Sequence, residues 1–247
     1  MRNMIELRSL TKRYGSTLAV NDLNLSVARG EIYGFIGPNG AGKTTTIRIM
    51  GGVLAPTDGV VIIDGVNMAD DPENVKRKIG FIPDRPFIYE KLTGMEFMRF
   101  SGDLYGVHEN IFLDKARILL KKFGILNWAD ELIESYSHGM KQRLIISSAL
   151  LHDPEVIIVD EPMVGLDPAA IKMVKDMFRE LSRGGMTIFM STHTLAVAED
   201  ICDRIGVIHR GSLIATGTTG DLKRDAGVDE ADLEEVFLIL TEEQDAS

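Results

Sequence analysis

The stretch Gly37-Pro-Asn-Gly-Ala-Gly-Lys-Thr44 constrains this chain more than any other. It reads G-x-x-x-x-G-K-[ST] and lies between an apolar strand, Ile32 to Ile36, and a helix, Thr44 to Met50. Glycines at 37, 40 and 42 permit backbone conformations that side chains forbid, so successive N–H groups can turn inward around the phosphates of a nucleotide. Gly37, Pro38, Asn39, Gly40, Ala41 and Gly42 form this cradle, and Lys43 adds a point charge. Thr44 and Thr45 open the helix, whose positive dipole end faces the phosphates, and the Thr44 hydroxyl suits Mg²⁺. A turn that merely joins a strand to a helix has no use for a lysine followed by two hydroxyls.

Ile5 to Leu10 and Leu23 to Val27 alternate apolar and polar residues in the period of half-buried strands. Tyr14, just ahead of a glycine turn between them, can present its ring to a purine base or simply pack at a hairpin. Pro56 to Gly59 reads as a turn, Val60 to Asp64 as a strand, and Ile79 to Ile82 as a short strand that ends at Pro83-Asp84. From Arg85 to Tyr136 helical patterns take over. Thr93-Gly-Met-Glu96 has capping-box spacing, with Phe97, Phe100 and Leu104 following at helical intervals, and a second helix spans Leu113 to Phe123. Val156 to Val159 and Thr187 to Met190 are apolar runs of the kind buried on both faces, separated by an amphipathic helix over Ala169 to Ser182. Ile205 to His209 and Leu213 to Thr216 flank a hairpin turn, and a terminal helix starts near Asp229. The expected fold is α/β: a P-loop NTPase core with a mainly parallel sheet, an N-terminal antiparallel β subdomain and an inserted helical lobe. One domain spans 1–247, with 1–84 and 137–247 as core and 85–136 as lobe.

A second constellation follows at the spacing that phosphoryl chemistry requires. Asp160 ends an apolar strand, where it can hold Mg²⁺ through its water shell, and Glu161 projects to where a γ-phosphate and a water would meet. Tyr136-Ser-His-Gly-Met-Lys-Gln-Arg143 leads a helix through Leu144 to Leu151, and small polar residues before a helix make a second anion site. One P-loop with a second phosphate-like site points to two subunits sharing each nucleotide.

Composition narrows the remaining choices. The net charge of -10 argues against nonspecific nucleic-acid binding, which depends on neutralising phosphates with Lys and Arg. Cys202 is the single cysteine, which excludes an internal disulfide and any multi-cysteine metal site, and it reads as a core residue. Met1 to Ile5 is followed by charged sequence rather than a secretory signal, and no window approaches the roughly 18 apolar residues of a spanning helix, so a cytoplasmic chain is expected.

With these motifs in this order, the chain resembles the ATP-binding subunit of an ABC transporter over nearly its whole length. Gly37 to Thr44 stands at Walker A, Val156 to Glu161 at Walker B, Tyr136 to Met140 at the signature and Gly165 to Pro168 at the D-loop, which includes Asp167. Tyr14 matches the adenine-stacking aromatic, and His193 in Ser191-Thr-His193 falls at the switch histidine. The resemblance implies Mg²⁺-dependent ATP hydrolysis with Glu161 and His193 as catalytic residues. It also implies a head-to-tail dimer with a second copy or a related subunit, in which Ser137 and Gly139 of one chain face the ATP bound by the other. A transmembrane permease would dock near Phe87 to Tyr89, placing the chain on the cytoplasmic face of the membrane, and the terminal helix favours export. Two departures stand out. The usual Leu-Ser-Gly-Gly-Gln is here Tyr-Ser-His-Gly-Met, and the usual glutamine of the Q-loop is Asp84, which joins Thr44 and Asp160 as a candidate metal ligand. A soluble assembly or repair ATPase is the alternative; a small-molecule kinase would lack the signature serine.

Overall fold

The computed structural model describes residues 3–84, 87–228 and 231–245. Strands β1 (Asn3–Tyr14) and β2 (Thr17–Ala28) form a long hairpin, followed by β3 (Ile32–Ile36) and α1 (Lys43–Met50). Then come β4 (Asp58–Ile63), β5 (Val66–Asn67), α2 (Pro72–Arg77) and β6 (Ile79–Ile82). Helices α3 (Gly94–Leu104), α4 (Glu109–Lys122) and α5 (His138–Leu150) precede β7 (Val156–Asp160). The chain continues through α6 (Pro168–Arg183), β8 (Thr187–Thr192), α7 (Leu195–Ile201), β9 (Arg204–His209) and β10 (Ser212–Gly217). It closes with α8 (Thr219–Asp225) and α9 (Leu233–Asp245). The expected start of α9 near Asp229 lies outside the described residues.

The strands form a six-stranded sheet in the order β10-β9-β3-β8-β7-β6 and a four-stranded antiparallel sheet in the order β2-β1-β4-β5. In the larger sheet every neighbour pair is parallel except β9 with β10, so the mixed α/β fold with its antiparallel β subdomain is as the sequence implies. β7 shows why its apolar run is unbroken. Val156 and Ile158 enter a cluster with Phe35 and Phe189 on one face, while Ile157 and Val159 join Met98, Leu120 and Phe178 on the other.

Among the elements that depart from the sequence reading, β1, α4 and α3 show the physical reason. β1 continues past Leu10 to Tyr14 because register shifts after Leu7 and after Leu10, with Ser9 at φ 48°, interrupt the alternation without ending the strand. α4 starts at Glu109 rather than Leu113, since its buried stripe is Phe112, Ala116 and Leu120 while Leu113 faces out. In α3, Thr93 and Glu96 complete the capping box and Phe97 is buried as the spacing implies, but Phe100 and Leu104 are exposed; the rest of the buried face is Gly94, Met98 and Gly102, spaced by four.

Candidate active site

The parallel strands β3, β6, β7 and β8 end on one side of the sheet, where α/β folds place their ligands. There a cleft of about 370 Å³ gathers Asn39, Gly40, Gly42, Lys43, Thr44 and Thr45 after β3 and Asp84 after β6. Asp160 and Glu161 enter from β7 and His193 from β8. Gly42 takes φ 110°, and a β-carbon there would stand 2.4 Å from the Ala19 carbonyl oxygen, so glycine is needed for both conformation and space. Lys43 is buried, with Nζ donating to the carbonyls of Gly37 at 2.6 Å and Pro38 at 3.1 Å. Burial lowers its pKa, while the nearby Glu161 and Asp160 charges oppose that shift.

Asp160 is buried, and its register partner on β8 is Ser191, whose hydroxyl donates to Oδ1. The other oxygen, Oδ2, is buried without a hydrogen-bond partner among the described residues. Glu161 holds φ 54°, a left-handed conformation uncommon for a residue with a side chain, and its N–H donates to the Ser191 carbonyl and hydroxyl, each at 3.2 Å. Its Oε2 accepts from the His193 N–H at 3.3 Å and lies 2.9 Å from His193 Nδ1. Ser191 therefore fixes both acidic residues, and His193 reaches only the second.

The remaining sequence-based candidates lie elsewhere. Ser137 caps α5 by accepting from the Met140 N–H at 3.3 Å, and Asp167 caps α6 by accepting from the Ala170 N–H at 2.8 Å; neither they nor Gly139 line the cleft. Tyr14 is half exposed at the β1–β2 hairpin, with Lys12 Nζ 5.2 Å from its ring centre, and is also outside the cleft wall. Gly37 and Ala41 are buried behind the loop. Ala19 and Val164 also line the cleft and have no signal in the sequence, because an apolar residue near a loop carries no motif. Ser191 was legible only as a flank of His193, since its role depends on the β7–β8 register.

A glycine-rich loop around a buried lysine, facing a strand-end Asp-Glu pair, defines the class as a phosphate-loop nucleoside triphosphatase. The family model described as ABC transporter matches residues 20–164, and the chain belongs to that family as an ATP-binding ATPase. It is 41% identical over 215 residues to the bacitracin transport ATP-binding protein BcrA of Bacillus licheniformis, covering 87% of this chain and 69% of that one. It is 35% identical over 241 residues to the ABC-type transporter ATP-binding protein EcsA of Bacillus subtilis, covering 98% of each. A solved ATP-binding subunit of an ABC transporter superposes with a TM-score of 0.90 at 36% identity, over 96% of this chain and 99% of that one. A dimeric bacterial ABC transporter cassette gives 0.80 at 28% identity, over 87% and 98%.

Proposed function

We propose that this chain hydrolyses ATP with Mg²⁺ as one half of a head-to-tail dimer, and that closure of the dimer drives export through a separate transmembrane partner. One observation carries the two-subunit part. The cleft holds the phosphate loop, Asp160 and Glu161, yet Ser137, Gly139 and Asp167 lie outside its wall, so a second chain is needed to bring a signature to the nucleotide. The solved dimeric cassette supports the same reading. Export is favoured by relatives whose names specify bacitracin transport and daunorubicin/doxorubicin resistance.

The residues present fit Mg²⁺. Asp160 Oδ2 is a buried carboxylate oxygen without a partner among the described residues, and Thr44 and Asp84 are exposed on the same cleft. Among the described residues no group of three or more His, Cys, Asp or Glu could hold a metal on its own, in keeping with an ion that draws most of its shell from water and substrate phosphates. When bound, the ion would neutralise charge on the phosphates. Lys43 holds the triphosphate, Glu161 orients and deprotonates the attacking water, and His193, bonded to Glu161, keeps that carboxylate aimed. Tyr14 would stack on the adenine from the hairpin.

For the partner, Phe87, Tyr89 and Phe100 form an exposed aromatic row, with ring centres 5.0 and 5.2 Å apart and near-perpendicular planes. Such a patch at the entrance to the lobe suits docking by another protein. Arg85 and Pro86, at its start, lie outside the described residues. Among the described residues no helix is long and apolar enough to cross a membrane.

The test is Glu161→Gln, which should bind ATP, lose about 10²- to 10⁴-fold in turnover and accumulate as an ATP-dependent dimer by size exclusion with light scattering. Ser137→Arg added to that chain should leave it monomeric with nucleotide still bound. Monomers throughout, with hydrolysis intact in the parent, would refute the shared site.

A further inference from the structure

His193 stands between two elements that fix it differently. On one side is the end of β8, where Thr192 is paired in register with Ile36 of β3. On the other, after Thr194 alone, α7 begins, and the Thr194 carbonyl accepts from the Val197 N–H at 3.0 Å. The His193 side chain is 58% exposed, so little packing holds its ring, and its aim at Glu161 follows the course of its backbone into α7. Whatever places α7 therefore bears on Glu161.

Apolar contact supplies part of that placement, since Val197 and Ile201 enter the same cluster as Val174 and Phe178 of α6. Such contact is non-directional and leaves a short helix free to slide or turn. The directional contact comes from Asp200, in the last turn of α7. Its Oδ2 pairs with Lys175 Nζ at 2.5 Å, its Oδ1 accepts from Arg179 Nη2 at 2.6 Å, and the same nitrogen donates to the Asp200 carbonyl at 2.9 Å. Lys175 and Arg179 are four residues apart and so share one side of α6. Two cations thus meet a carboxylate and a backbone carbonyl at the negative end of α7. The Lys175 bond holds the Asp200 carboxyl below its ordinary pKa, opposed by burial and helped by Arg179. On the opposite side Glu199 pairs with Lys223 of α8 at 3.3 Å.

We infer that Asp200 is a positioning residue for hydrolysis: by clamping α7 to α6 through Lys175 and Arg179, it holds His193 where it keeps Glu161 aimed at the attacking water. This rests on the roles given to Glu161 and His193 above. An ion cluster this open to solvent adds little to stability, so its loss should register in turnover rather than in folding.

The experiment measures kcat, KM for ATP and Tm for Asp200→Ala and Asp200→Asn, each made with His193 present and with His193→Ala, following phosphate release long enough to read the slowest chain. With His193 present, Asp200→Ala should lower kcat about 5- to 20-fold through misplacement. KM should stay within about twofold, since the phosphate loop is untouched. Asp200→Asn, which keeps an acceptor for Arg179 but loses the charge facing Lys175, should fall between parent and Asp200→Ala. In the His193→Ala chain the same substitutions should change kcat by less than about twofold, because the group they act through is gone. Lys175→Met with Arg179→Met should reproduce the loss, and adding Asp200→Ala to that chain should lower kcat no further. A merely structural role would lower Tm, and would lower kcat by the same factor in both backgrounds. That equal loss overturns the clamp, as does a parent-like kcat in Asp200→Ala with His193 present. A parent-like kcat in His193→Ala alone overturns the role of His193 and the clamp together.

Discussion

Lys43 faces two opposing demands. Its ammonium is held inside the loop by the Gly37 and Pro38 carbonyls, and burial there disfavours the charged form. Glu161 and Asp160 act in the opposite sense and favour the charged form. A triphosphate would add far more negative charge at the same place, so much of its binding should depend on this single side chain. Lys43→Ala is expected to abolish tight ATP binding, read by equilibrium binding of a fluorescent ATP analogue, without lowering Tm in the absence of nucleotide. Affinity within about threefold of the parent, roughly 0.6 kcal/mol, would remove Lys43 from the site. The residues that a motif can reveal, Lys43, Thr44, Asp160 and Glu161, were legible because their spacing is local. Ser191, which fixes both acidic side chains, was not, because only the β7–β8 pairing brings it to them.

Elements separate in the same way. β3, β7 and β8 could be read directly, since strands packed on both faces need continuous apolar runs. α2 and α8 carry no periodic signal in the sequence because each buries a single side chain, Val75 and Leu222, and one apolar residue sets no period. Their visible signals were caps, Asp71 before Pro72 and the Thr218–Asp221 box. The α5 to β7 connection carries a further element-scale consequence. His152 stacks on Tyr105 with ring centres 3.8 Å apart, has Nε2 3.1 Å from the Ile79 carbonyl, and keeps a buried Nδ1 without a partner among the described residues, joining the end of α3 to β6. Burial lowers its pKa below the ordinary 6.5. The unfolded chain then binds the proton first as pH falls, so this group's contribution to stability is complete above about 6.5 and is lost as pH falls towards the lower folded value. His152→Phe keeps the stack and removes the titration. Denaturant unfolding just below pH 6.5 should therefore show a shallower loss of stability with acid than the parent, and parallel curves would count against it.

At the scale of the whole molecule, the cleft and the helical lobe meet at Asp84. It follows the end of β6, is exposed on the cleft wall, and stands a few residues before the aromatic row that leads into α3. The apolar cluster under the lobe continues into the sheet through Ile82, so lobe and core do not pack as separate bodies. Any motion of the lobe relative to the cleft must therefore be absorbed by short connections such as this one. A glutamine here would offer a neutral carbonyl on a longer side chain; aspartate offers a full charge with less reach. On the same cleft as Thr44 and the Asp160 oxygen that has no partner among the described residues, that charge should strengthen attraction for Mg²⁺, directly or through water, while opposing the γ-phosphate. Asp84→Asn keeps the size and removes the charge, so it should raise the Mg²⁺ concentration for half-maximal ATPase activity. Asp84→Ala should raise it further, since it also removes the oxygen that Asn retains. Both effects should shrink at high ionic strength, where exposed charge interactions are screened. If both variants titrate with Mg²⁺ as the parent does, Asp84 has no part in holding the metal, and its position at the junction of cleft and lobe is a matter of chain geometry alone.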